Sequence, residues 1–203
     1  MLDVTDLTLR QQAQSAKAVA RTLATLPGGR KDAVLTGMAR RLRALQGEIL
    51  EANARDLAAG EEAGLSKALM DRLRLTPERI EGMARGVEDV ARLPDPVGEE
   101  EGWTRPNGLS IRSVRVPLGV LAMIYEARPN VTVESASLAL KSGNACLLRG
   151  SSSAVHSNRV LVRLLRDSLR DEGVPEDAVQ GVADLRREAV DELAGMNGLV
   201  DCL

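Results

Sequence analysis

Apolar residues recur at helical spacing through the first ninety residues of the chain. Between residues 31 and 60 they lie three or four positions apart, which lines one face of a helix, and Gly60 supplies a stop. These residues are Val34, Leu35, Met38, Leu42, Leu45 and Ile49. Another helix is predicted after Thr76, which can cap it, with Pro77 in its first turn and Pro94 preventing its continuation.

The pattern changes after Gly108. Residues 94–106 are expected to form a turn or linker, with the acidic GEEEG as a solvated loop. The stretch 109–116 alternates imperfectly and predicts an exposed strand, whereas 119–125 is apolar on both faces, as in a covered parallel strand. Further helices are predicted at 131–141, 155–171 and 186–195, and further strands at 145–149, 178–183 and 199–203. Repeated strand, helix, strand units predict an α/β fold with a doubly wound parallel sheet.

Composition and charge narrow the possible partners. The 203 residues carry a net charge of −2, with one Trp, one Tyr and no Phe, which argues against nucleic-acid binding. Two cysteines and a single histidine match no metal-ligand spacing, so no metal site is expected and a reducing compartment is the simpler assumption. Residues 1–12 lack the apolar core of a signal peptide, and no apolar run spans a membrane. A cytoplasmic location is therefore expected.

Two polar stretches follow the predicted buried strands, where parallel sheets bind ligands. In YEARPNV, residues 125–131, Pro129 pushes Arg128 towards extended geometry before a helix begins. The amide of Asn130 could there stabilise an oxyanion. The alternative is that Asn130 only caps the helix, and the residues alone favour that interpretation.

The second stretch is LLRGSSSAVHSN, residues 147–158. A small-residue loop that leads into a helix can present backbone N–H groups to a phosphate, but no complete phosphate-binding motif is present, and such loops often only turn the chain. His156 is interpreted as a polar residue of the helix start, because no acid and nucleophile pattern accompanies it. Cys146, in an apolar strand, is expected to be buried and inert.

Four arginines on the helix predicted at 155–171 share one face. They are Arg159, Arg163, Arg166 and Arg170. Because Asp167 and Asp171 are interleaved with them, a solvated, ion-paired surface is expected rather than an anion groove.

The run VPLGV…YEARPNVT…LKSGNA…LRG resembles the gamma-glutamyl phosphate reductases, a family of the aldehyde dehydrogenase superfamily, and the helical N-terminal part resembles the same family. The resemblance implies an aldehyde dehydrogenase-like fold, with an N-terminal helical segment at 1–103 packed on an incomplete, NADP-binding, Rossmann-like domain at 104–203. It also implies that the stretch 109–116 lies where relatives use a protruding hairpin for assembly, so a homo-oligomer is possible.

The implied reaction is NADPH-dependent reduction of L-glutamate 5-phosphate to L-glutamate 5-semialdehyde and phosphate, in proline biosynthesis. The oxyanion-stabilising asparagine of the family falls on Asn130. The cofactor-contacting positions fall on Arg149, Gly150, Ser151 and Ser152, and Arg149 is a possible partner for the adenosine ribose or its phosphate. Where the family usually has an acidic residue, this chain has Ser153.

The nucleophilic cysteine of the family falls on no residue of this chain, which is about half as long as family members. We therefore expect the 203-residue chain alone to be inactive. Two alternatives stay open at this point. The chain could belong to another aldehyde dehydrogenase-like acyl reductase, or it could be a non-catalytic module for cofactor binding or assembly.

Overall fold

The computed structural model describes residues 7–203, so the first six residues of the stretch tested for a signal peptide lie outside the described part. The helices are α1 Leu9–Ala24, α2 Gly28–Ala44, α3 Gln46–Glu62, α4 Lys67–Leu73, α5 Pro77–Arg92, α6 Pro129–Lys141, α7 Val155–Asp171 and α8 Glu188–Ala194. The strands are β1 Glu100–Thr104, β2 Ser110–Val114, β3 Val120–Ile124, β4 Ala145–Arg149 and β5 Val179–Gly181. Single 3-10 turns lie at Ser152–Ala154 and Glu176–Ala178.

A parallel sheet of order β3-β4-β5 forms the centre of the fold. The prediction that the strands at 119–125 and 145–149 pair in parallel is confirmed. On the free side of β3, Cys202 makes a single parallel bridge to Leu121, which is all that forms of the strand expected at 199–203. The spatial order is thus β5, β4, β3, Cys202, and the chain crosses from one edge of the sheet to the other after β5, as in doubly wound sheets.

Helices cover this sheet. The residues Cys146, Leu147 and Leu148 of β4 point alternately to the two faces of the sheet, and all three are buried. The helix α1 packs against all three strands, while α6 packs against β4 and contacts α7, which packs against β5. The helices α2, α3 and α5 form an outer layer, in which α2 packs on α5 and both α2 and α3 pack on α7. One continuous apolar core results.

Two helical predictions need correction. The stretch predicted as one helix from residue 31 to Gly60 forms two helices, because Leu45, at φ −108° and ψ 24°, ends α2 and precedes α3. Gly60 lies inside α3, and the left-handed residue after that helix is Gly64, at φ 70°. The cap expected at Thr76 is confirmed, since its hydroxyl accepts from the Arg79 N–H at 3.2 Å.

The expected linker at 94–106 was wrong in part. Residues Glu100–Thr104 form β1, which pairs antiparallel with β2, so the acidic segment belongs to a hairpin. All five residues of β1 are exposed, and within residues 7–203 the two strands pair only with each other. The sequence did not predict β1 because all of its residues are exposed, so it lacks the alternation of buried and exposed positions that indicates a strand.

Two lysines are buried in ion pairs between the helical layers. Lys31 of α2 is 0% exposed and donates to both carboxylate oxygens of Asp95 at 2.9 Å. Lys141, at the end of α6, donates to Asp32 at 2.5 Å and to the Ala91 carbonyl at 2.9 Å. Each buried charge is therefore paired and hydrogen-bonded, which is the condition for keeping it in the interior.

A pair of glutamines ties α1 to the sheet. Gln12 Nε2 donates to the Gly181 carbonyl at 2.9 Å, and Gln180 Nε2 donates back to the Gln12 carbonyl at 3.0 Å. Both side chains are buried. These bonds join residues that are nearly 170 positions apart and hold α1 near the carboxyl end of β5.

We expect Gln12→Ala to lower the free energy of unfolding by about 1–2 kcal/mol, because it leaves the Gly181 carbonyl without this donor. Urea unfolding followed by circular dichroism measures the change. Arg10→Ala, on the exposed side of α1, is the control and should change stability by less than about 0.5 kcal/mol. Equal effects of the two substitutions would contradict the bridging role of Gln12.

Candidate active site at the carboxyl edge of the sheet

Three loops meet where β3, β4 and β5 end, because the carboxyl ends of parallel strands lie at one edge of a sheet. They are residues 125–128 after β3, 150–154 after β4 and 182–187 after β5. The backbone joins the first two, since the Tyr125 N–H donates to the Arg149 carbonyl at 3.2 Å. Among the residues of interest in the sequence, Asn130 follows the first loop and Arg149, Gly150, Ser151 and Ser152 lie at the second.

Asn130 is the second residue of α6, after Pro129, and Arg128 is the cap residue. Arg128 has φ −135° and ψ 87°, so its φ is extended as expected, but its ψ falls short of the range of about 120–160° that is typical before proline. The helix-cap interpretation of Asn130 was wrong, because its Nδ2 instead donates to Glu134 Oε1 at 3.0 Å, one turn along the helix. One bond to Glu134 leaves the second N–H of the amide available to another acceptor.

A partly buried chain of hydrogen bonds fixes the first loop against α7. The Tyr125 hydroxyl and Thr132 Oγ1 are 2.7 Å apart, and Thr132 Oγ1 donates to Asn158 Oδ1 at 2.9 Å. Burial raises the pKa of Tyr125 to about 12, so this phenol stays protonated at neutral pH. It can then serve as a hydrogen-bond donor that orients the loop.

Gly150 makes the turn after β4 possible. A Cβ atom at this position would overlap Asn158 Nδ2 and lie 3.1 Å from the ring of Tyr125. The next residue, Ser151, accepts a hydrogen bond from the Ser153 N–H at 3.2 Å through its hydroxyl. Ser152 then begins the 3-10 turn and is exposed. The loop is therefore tight at Gly150 and open at Ser152.

The start of α7 is already occupied by a carboxylate. Asp56 of α3, which is buried, accepts from the backbone N–H groups of His156 at 3.0 Å and Ser157 at 2.7 Å. In the same place Asn53 Nδ2 donates to Ser157 Oγ at 3.0 Å. These two N–H groups are therefore not available to a phosphate. The interpretation that the start of α7 presents them to a phosphate is wrong. His156 lies in the first turn of α7, as interpreted.

Arg149 connects the second loop to the third. Its guanidinium donates to the Leu185 carbonyl at 2.6 Å, while its Nε is buried without a partner among the described residues. In the third loop, Asp184 accepts hydrogen bonds from the guanidinium and from the backbone N–H of Arg186, which lower the pKa of Asp184 to about 2. The pairing keeps Asp184 ionised and bound to Arg186 at neutral pH.

A cleft of about 730 Å³ lies between the second and third loops and the arginine-bearing face of α7. Gly150, Ser151, Val182 and Leu185 line its upper part. A second hollow, of about 360 Å³, lies on the other side of the second loop and is lined by Arg149, Ser151 and Tyr125 together with Leu65 and Leu69. Clefts of the larger size suit a nucleotide-sized ligand.

The arginine face is largely ion-paired, as expected. Arg163 pairs with Glu48, and Arg170 pairs with Asp167 and Glu176. Arg166 differs from the expectation because it is 7% exposed and donates to the carbonyls of Glu176 and Val179. Sequence reasoning missed Asp56, Asn53, Thr132 and Asn158, although Asn53 and Asp56 share a helical face that is otherwise apolar, which is a usable signal.

Neither cysteine is placed as a nucleophile. Cys146 is fully buried in β4, and burial raises its pKa to about 12, so the thiol stays protonated and inert, as expected. Cys202 is exposed but lies beside Leu121, three residues before the end of β3. Both thiols are therefore away from Asn130 along the strands.

The sheet, its helices and the loops at its carboxyl edge form an α/β fold of the doubly wound class. The model of the aldehyde dehydrogenase family matches residues 3–200, and the chain belongs to that family. Membership implies a nicotinamide cofactor. No helix within residues 7–203 is long and apolar enough to cross a membrane.

Within the family, the chain is similar to gamma-glutamyl phosphate reductases. It is 53% identical to that of Geobacillus sp. (strain WCH70) over 193 residues, which are 95% of this chain and 47% of the relative. The crystal structure of the Thermotoga maritima protein has a TM-score of 0.91 at 39% identity, over 95% of this chain and 47% of that one. The Saccharomyces cerevisiae structure has a TM-score of 0.84 at 32% identity, over 92% and 49%. The chain spans about half the length of the curated relatives it matches.

We expect Ellman's reagent at pH 8 to modify Cys202 but not Cys146 in the folded chain. Cys146 is covered on all sides and its raised pKa suppresses the reactive thiolate, whereas Cys202 is exposed. The absorbance of the released thiol should correspond to one group per chain, and to two after unfolding. Cys202→Ser should abolish the folded-state signal. A rapid second reaction from Cys146 in the folded chain would contradict its burial.

Proposed function

We propose that this chain supplies the N-terminal, cofactor-binding part of an enzyme that uses NADPH to reduce L-glutamate 5-phosphate to L-glutamate 5-semialdehyde and phosphate, in proline biosynthesis in the cytoplasm. The observation that carries the proposal is the similarity to gamma-glutamyl phosphate reductases over at least 92% of this chain. In the proposed organisation, residues 1–103 pack on a cofactor-binding domain at 104–203.

The residues at the carboxyl edge fit a nicotinamide nucleotide. The cleft has the volume for a nucleotide, Ser151 lines it beside Gly150, and the buried Nε of Arg149 is a donor without a partner among the described residues. Gly150, Ser151 and Ser152 would hold the cofactor, with Arg149 keeping the third loop in place through Leu185. When bound, NADPH supplies the hydride for the reduction.

Asn130 is the proposed oxyanion donor. Its amide stands at the start of α6, held one turn ahead of Glu134, and the Tyr125, Thr132 and Asn158 chain fixes this helix against α7. A donor held rigidly needs no reorganisation when negative charge develops on a carbonyl oxygen, which is why such donors are effective. The thiolate that displaces phosphate in this class of reaction would come from outside these residues, consistent with the positions of Cys146 and Cys202.

The test is a hybrid enzyme in which this chain replaces the matching half of the Thermotoga maritima reductase. We expect the hybrid to oxidise NADPH when given freshly generated L-glutamate 5-phosphate. Asn130→Ala in the hybrid should lower turnover by about a hundredfold or more, the usual scale for one oxyanion donor, with little change in NADPH affinity.

Asn197→Ala, at an exposed asparagine away from the three loops, is the control and should leave turnover unchanged. If Asn130→Ala lowered only thermal stability, its proposed role would be wrong. A folded hybrid that binds NADPH but does not turn over would favour a non-catalytic module or a different acyl donor.

We also propose that the β1–β2 hairpin joins this chain to a second copy of itself. Its two strands have no other partner within residues 7–203, and an isolated two-stranded hairpin is only marginally stable. Trp103 is 50% exposed and lies opposite Ile111 on one face, where an apolar contact is available for another molecule.

Trp103→Glu should therefore shift the protein to a smaller species in sedimentation velocity, because it places a charge in the proposed contact. Thr104→Glu adds the same charge on the opposite face of the hairpin and is expected to leave the mass unchanged. Identical sedimentation of the two variants would rule out the Trp103 face as the interface.

A further inference from the structure

Four arginines of α7 line the cleft, and three of them form ion pairs with carboxylates of this chain. Arg163 pairs with Glu48, Arg166 with Glu176 and Asp177, and Arg170 with Asp167 and Glu176. Arg159 is the exception, since it is exposed and makes no ion pair with any residue from 7 to 203. An unneutralised guanidinium on the wall of a nucleotide-sized cleft is a binding group for an anion.

Two further arginines at this edge of the sheet are engaged, whereas Arg128 and Arg187 make no ion pair within residues 7–203 but do not line the cleft. Arg149 donates to the Leu185 carbonyl, and Arg186 is held by both carboxylate oxygens of Asp184. Asp56 takes the amides of His156 and Ser157, so the start of α7 adds no free donors there. Among the residues that line the cleft, Arg159 is therefore the cation without an ion pair to any residue from 7 to 203.

The second loop carries no carboxylate that would oppose an anion. Residues 150–154 are Gly, three Ser and Ala. In dinucleotide-binding sheets an acidic side chain near the adenosine ribose binds the 2′-hydroxyl of NAD, whereas an arginine accommodates the 2′-phosphate of NADP. Arg159 lies one turn after Val155, the first residue of α7, and lines the cleft together with Gly150 and Ser151.

We propose that Arg159 is the specificity-determining residue of this site, which binds the 2′-phosphate of the adenosine ribose and so selects NADPH over NADH. The assignment rests on the cofactor-binding function proposed above and adds to it the residue that discriminates the two cofactors. Arg149 keeps a separate role, which is to hold the third loop at the edge of the cleft.

Isothermal titration of this chain with adenosine 2′,5′-bisphosphate and with adenosine 5′-monophosphate tests the proposal. The bisphosphate should bind more tightly. Arg159→Gln should weaken the bisphosphate about tenfold or more, the usual effect of losing a charge-assisted hydrogen bond, and leave the monophosphate within about twofold. Arg159→Lys should restore part of the difference, because it returns the charge without the two-pronged geometry.

Arg163→Gln is the matched control, one turn along the same helix and already paired with Glu48, and it should keep the preference for the bisphosphate. If the parent chain binds both nucleotides equally, or if Arg159→Gln weakens both equally, the role of Arg159 is overturned while cofactor binding stands. If the parent chain binds neither nucleotide, the proposed cofactor site fails and the assignment of Arg159 fails with it.

Discussion

The carboxylate of Asp56 at the start of α7 is the interaction on which the candidate site depends. By accepting from two amides of the first turn, it fixes where the helix begins and therefore how much chain is left between β4 and α7. That remainder is the tight loop of Gly150 to Ala154. Asp56 belongs to α3. The outer helical layer therefore helps to determine the shape of the loop between β4 and α7, although the loop is not part of that layer.

The same carboxylate changes how the site can recognise a ligand. A helix start usually attracts a phosphate through its free N–H groups and the positive end of its dipole. At α7 the negatively charged carboxylate of Asp56 already takes that place. The groups that can present a positive charge to the cleft are therefore side chains further along the helix, and not the amides of its first turn. Four arginines of α7 contribute to the walls of the cleft, beside apolar residues of the strands and of the loop after β5.

Local patterns in the sequence predicted most of the sheet and its helices. They did not predict the contacts between residues that are far apart along the chain. The bounds of α7 were predicted correctly within the alternation of strands and helices, and the cap at Thr76 from a hydroxyl followed by proline. The break at Leu45 was missed because apolar residues continue at helical spacing across it. The contact of Asp56 with Ser157 spans 101 positions and leaves no local pattern. Asn130 was placed at the correct strand end, but its bond to Glu134 depends on where the helix starts.

Burial of Lys31 and Lys141 reduces the number of reactive lysine amines on the surface. The sequence contains only four lysines, and these two are enclosed in ion pairs, so the side-chain amines that remain accessible are those of Lys17 and Lys67. Neither of them lines the cleft. Coupling to a solid support through lysine side chains would therefore attach the protein at α1 or at α4, and not at a residue that lines the arginine-bearing cleft.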